Sequence, residues 1–142
     1  MTDDNLFRPV IRTQADLEQT WRRLMEPLGF AGHSVWMLLI GPDDRPVPTV
    51  TEITEALDPP DEESLAGFTA LVEHLAEEFP GTRFAFLRTR PGRDGVTADD
   101  RAWAEGLTAA ARTAGVAVEV VHRANDVDLV PLPLDDLIPA SA

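Results

Sequence analysis

The chain has 142 residues, a net charge of −13 and no cysteine. Hydrophobic residues at 44% and charged residues at 26% suit one globular domain with a real core, which excludes wholesale disorder. Disulfides, thiolate nucleophiles and cysteine-based metal sites are excluded too, and because all twelve basic residues are arginine, so are Walker A phosphate loops and Schiff-base lysines.

Residues 1–8 read as a loose polar lead. Thr13 followed three residues later by Asp16 predicts a capping box, opening a helix whose inner stripe is Leu17, Trp21 and Leu24 and which Pro27 and Gly29 end. Val35 to Ile40 is a continuous apolar run between glycines, too short for a helix, and predicts a central strand covered on both faces. Turn residues from Gly41 to Pro46 lead into the β-branched stretch Val47–Thr54, which suggests a hairpin whose second strand, bearing Pro46 and Pro48, is irregular or at an edge.

Asp58-Pro59-Pro60-Asp61-Glu62-Glu63 predicts a helix start, with carboxylates at the positive end of the dipole. Leu65, Phe68, Leu71, Val72, Leu75 and Phe79 form its apolar stripe, and Pro80-Gly81 stops it. Phe84–Leu87 reads as a second short buried strand. Thr97 and Asp100 cap a third helix, with Trp103, Leu107, Ala110, Ala111 and Ala114 facing inward and Gly115 suited to the left-handed position that closes it. Val116, Val118 and Val120 alternate along a strand ending at His122, 128–132 suggests one more, and 133–142 reads as a tail. The expectation is a single α/β domain, a mixed β-sheet flanked by helices in the order α-β-β-α-β-α-β with an additional final strand.

The loop Arg88-Thr89-Arg90-Pro91-Gly92-Arg93-Asp94-Gly95 is the strongest candidate site. It leaves the C-terminal end of a buried strand and enters a helix N-terminus, a common ligand position in α/β sheets. Arg88, Arg90 and Arg93, with Thr97 and Asp100 at the helix start, suit an anion or carboxylate; equally, the arginines suit pairing with Asp94, Asp99 and Asp100. His33 precedes one strand and His122 follows another, which makes them the candidate metal ligands, although no spacing forms a compact ligand motif; His74 reads as a surface residue. Gly32-His33-Ser34 resembles part of a nucleophile elbow, but it lacks the closing glycine and precedes a strand. Trp21, Trp36 and Trp103 read as core packing.

The element order, with Arg88-Thr89-Arg90-Pro91 followed by Thr97-Ala98-Asp99-Asp100, resembles the JAB (MPN-type) metal-hydrolase family, especially its bacterial DNA-repair-protein-like branch. That family carries His-x-His-Pro, a glycine-containing loop and Ser-x-x-Asp at a helix start; the histidines and aspartate hold zinc, and a glutamate from an upstream strand is the base. The resemblance places Arg88 and Arg90 where the histidines would be and Thr97 at the serine, so Asp100 alone matches a ligand. No glutamate lies in the first apolar strand, whose start is His33 and Ser34. Guanidinium offers zinc no lone pair, so the resemblance implies a non-catalytic member with Arg–Asp pairing in the old site.

Three functions are therefore in view. The first is a non-catalytic binding or interaction domain that meets a protein partner or a small anionic ligand, with no cofactor. The second is a metal-dependent hydrolase drawing on His33, His122 and Asp100, and the third is a self-associating subunit such as a homodimer. The negative charge disfavours non-specific nucleic-acid and anionic-membrane binding. No apolar run reaches the ~20 residues that span a bilayer. The acidic opening Met1–Asn5 is unlike a secretory leader, so the expected location is the cytoplasm.

Overall fold

The computed structural model describes residues 9–54, 56 and 60–133. The expected polar lead, the first two residues of the predicted helix start (Asp58 and Pro59) and the tail after Pro133 lie outside the described residues. Within them the elements are helix α1 (Gln14–Met25), strands β1 (Ser34–Ile40) and β2 (Pro46–Thr54), α2 (Glu62–Glu78), β3 (Arg83–Thr89), α3 (Ala98–Thr113), and short strands β4 (Ala117–Val118), β5 (His122–Ala124) and β6 (Leu129–Pro131). The chain is an α/β domain with a mixed sheet, in the element order that the apolar patterning predicts.

The sheet runs β2-β1-β3-β5-β6, with β4 pairing β3 beside β5. β1 is antiparallel to both β2 and β3, β4 and β5 are parallel to β3, and β6 returns antiparallel to β5. β2 lies at an edge, and its register with β1 shifts between Leu38 and Ile40, close to the two prolines that cannot donate to a ladder.

Alternation along the central strands divides the interior into two cores. Val35, Met37, Leu39, Phe84 and Phe86 face α2 and α3, where Phe68, Val72, Trp103, Leu107 and Ala111 meet them. Leu38, Ile40, Ala85 and Leu87 face the other way onto Leu17 and Trp21 of α1, with Ala124 and Leu129. Two covered faces explain why both central strands read as unbroken apolar runs.

Helix ends follow the cap residues. Thr13 and Thr97 both form complete capping boxes, with Asp16 and Asp100, and Asp61 accepts the Ser64 N–H to start α2. Gly115 adopts φ +81° after α3, the left-handed region that favours glycine. Where α2 crosses α3, a Cβ on Gly106 would lie 2.8 Å from a methyl of Leu65, so glycine there permits the close approach.

Two elements depart from the sequence reading. β3 continues past Leu87 through Arg88 and Thr89, because Arg88 is buried and paired. The valine-rich segment is not one strand but two. Glu119 turns to Arg83, whose Nε donates to it at 2.6 Å, and pairing with β3 resumes only at His122.

Candidate functional site

The register fixes which residues share the space under α3. Arg88 pairs across β1 with Val35 and across β5 with Arg123, so all three side chains point to the α2/α3 face. Arg90, one step beyond the strand, returns to that face. Above them Asp100 sits in the first turn of α3, fully buried.

Arg88 Nε donates to Asp100 Oδ1 at 2.8 Å, Arg90 Nε to Oδ1 at 2.9 Å, and Arg90 Nη2 to Oδ2 at 2.8 Å. Arg123 Nε lies 3.5 Å from Oδ2, and its Nη1 donates to Asp128. The Thr97 N–H completes the set at 2.9 Å from Oδ2. Arg88 also lies with its guanidinium carbon 6.0 Å from the centroid of the Trp103 ring, which packs edge-on against Phe68.

Burial alone would raise the Asp100 carboxyl. Hydrogen bonds from Arg90, Arg88 and the Thr97 N–H overcome that penalty and hold it far below the usual carboxylate range. Asp100 is therefore ionised at neutral pH, at the centre of three guanidiniums. One residue serves two purposes here: it closes the capping box of α3 and anchors the arginines of β3, the following loop and β5.

The loop after β3 is pinned along its length. Arg90 Nη2 donates to Gly95 O at 2.9 Å, Asn125 Nδ2 to Asp94 O at 2.7 Å, and the Asp126 N–H to Gly92 O at 3.0 Å. The Asp126 carboxylate in turn accepts the Gly92 N–H and the Phe30 N–H, tying this loop to the segment before β1. Arg93, Asp94 and Gly95 are exposed at its tip.

Of the residues singled out in the sequence, Arg88, Arg90, Thr97 and Asp100 come together, while Arg93 projects to solvent away from Asp100's ligand shell. His33 and His122 do not come together. His33 lies just before β1 and His122 in β5, strands that flank β3 on opposite sides, about 10 Å apart across the sheet. His122 pairs with Leu87 and so faces α1, the opposite side of the sheet from Asp100. Its ring is fully buried and Nδ1 lies 3.1 Å from Val120 O; burial pushes its pKa down, so the imidazole is neutral and Nδ1–H donates.

Arg123 carries no signal in the sequence. Its place beside Arg88 follows from the parallel register of β3 and β5, which no local pattern encodes. A zinc ion does not fit this donor set: three guanidiniums bring positive charge and no lone pair to the one carboxylate. Among the described residues no group of three or more His, Asp or Glu is placed to hold a metal ion, and no helix is long and apolar enough to cross a membrane.

Comparison with known proteins finds no matching family model, and no match among curated proteins or solved structures.

Proposed function

We propose that this protein is a non-catalytic binding domain on a JAB-type scaffold, in which a buried Arg–Asp cluster replaces a metal centre. The observation that carries the reading is the convergence of Arg88 and Arg90 on Asp100 across a strand–loop–helix junction. In the family, the corresponding positions of the motif are the three zinc ligands. Cationic guanidiniums standing where neutral imidazoles would be account for both the likeness and the missing chemistry. The loop that would be catalytic becomes a rigid support that presents Arg93, Asp94 and Gly95 to a partner.

Calorimetric titration of the chelator-free protein with zinc tests this directly. No saturable binding is expected at neutral pH. One stoichiometric zinc bound per folded wild-type chain would contradict the reading.

A further inference from the structure

On the opposite face of the sheet, where α1 ends, the chain leaves a cleft of about 470 Å³. Its floor is set by register. Ser34 pairs with Thr54 across β2 and with Thr89 across β3, and Glu52 pairs with Trp36, so all four polar side chains share the α1 face. The wall is the segment before β1, including Phe30 and His33. The Phe30 N–H, donated to Asp126 at 3.0 Å, fixes that wall in place before any ligand arrives.

The polar groups on the floor are organised. Ser34 is 6% exposed, and its Oγ donates to Glu52 Oε2 at 2.9 Å. The Ser34 proton is thereby used, leaving its lone pairs and the rest of the carboxylate as acceptors. Thr89 is fully buried and accepts the Trp36 indole N–H at 3.1 Å. Among the described residues Glu52 is the one formally charged side chain lining the cleft, and its hydrogen-bond partner is Ser34.

We propose that this cleft binds a small organic ammonium compound, a primary amine with a short apolar body. A carboxylate beside hydroxyl lone pairs suits a donor-rich cation, and an ammonium group brings three N–H donors to one point. Phe30 supplies an aromatic surface for the cationic head or the adjoining methylenes. A hard divalent ion is not served, because such ions take about six oxygen ligands and usually several carboxylates. An anion is repelled by Glu52. The net charge of −13 enriches cations around the molecule before they reach the cleft. The volume falls within the range of small-molecule sites, and a few convergent polar groups in a mainly apolar wall is their usual composition.

This inference stands apart from the reading of the Arg–Asp cluster, since the cleft is on the other face of the sheet and Glu52 touches none of those arginines. The test is a titration of the ¹⁵N-labelled protein with n-butylamine, n-butanol and sodium butyrate at neutral pH. Butylammonium should give saturable shifts centred on the amides of Gly32, Ser34 and Thr89, with Kd on the order of 1 mM, the scale expected for so few heavy atoms. Butanol and butyrate should bind at least ~10-fold more weakly, and Glu52→Gln, an exposed substitution, should weaken butylammonium by a similar factor. Non-saturating shifts spread over the acidic surface, equal binding of butanol, or unchanged affinity in Glu52→Gln would each overturn the proposal.

Discussion

Asp100→Ala is expected to destabilise the protein by about 3–5 kcal/mol, because it leaves Arg88, Arg90 and Arg123 buried without their shared counter-charge. Against a typical total of about 5–15 kcal/mol, that is enough to leave much of the protein unfolded at 37 °C. The substitution also removes half of the capping box of α3. Asp100→Asn should be similarly severe, since an amide keeps the shape but carries no charge. The neighbouring Asp99→Asn serves as the control; it touches only the field of the helix N-terminus and should cost about 0.5 kcal/mol. Urea unfolding of the three variants measures this. The pH dependence has a definite sign. The Asp100 carboxyl is depressed in the folded state, so its contribution is complete above the unfolded value near 4 and is lost as pH falls further below it. The gap between wild type and Asp100→Asn should therefore narrow below about pH 4. A loss under about 1 kcal/mol in Asp100→Ala at pH 7 would show that the cluster contributes little net stability.

The double variant Arg88→His/Arg90→His should convert the cluster into a zinc site. On the proposed scaffold the two imidazoles and Asp100 would occupy the family's three ligand positions, with water free to take the fourth. Neutral imidazoles cannot neutralise buried Asp100 as the guanidiniums do, so the metal-free variant should be several kcal/mol less stable than wild type. Zinc should restore the loss, because binding to the folded state alone is folding free energy. The expected readout is a zinc-dependent rise in Tm with one zinc bound per chain, at a Kd on the order of micromolar. Refolding in the presence of zinc covers the case in which the metal-free variant does not fold. Zinc binding no stronger than wild type in a folded double variant would remove the JAB-type reading and leave the Arg–Asp cluster as a purely local device.

Local patterns carry most of this fold. The two capping boxes at Thr13 and Thr97, the apolar run Val35–Ile40 and the prolines of β2 are short-range signals, and each finds its expected place. The end of β3 was less legible. Arg88 reads as a loop residue because an isolated buried charge is prohibitive, and only a partner twelve residues away makes its burial tolerable. The break between β4 and β5 is hidden for a similar reason. Val116, Val118 and Val120 keep a perfect alternation, while the kink depends on Glu119 reaching Arg83 across the sheet.

The candidate site was half visible. Thr97-x-x-Asp100 and the arginines before it could be named, and pairing with Asp100 was one of two readings the residues allowed. Which one holds depends on whether the side chains turn inward, and that is decided by the pleat of β3: with Phe84 and Phe86 facing the helices, Arg88 must face them too. Arg123 and the Ser34–Glu52 pair depend on strand register, the latter on a hairpin with a shift between Leu38 and Ile40. In the sequence Ser34 falls in a partial nucleophile-elbow motif that it does not complete, whereas its partner in the fold is a carboxylate on the neighbouring strand.

The most direct measurement is a ¹³C titration of the Asp100 side-chain carboxyl in the folded protein, assigned by through-bond correlation to its own backbone amide. If three arginines hold this group as an anion inside the fold, its shift should stay at the carboxylate value as pH is lowered, until the folded signals themselves disappear. A titration midpoint near the ordinary value of about 4, with the protein still folded, would contradict the account.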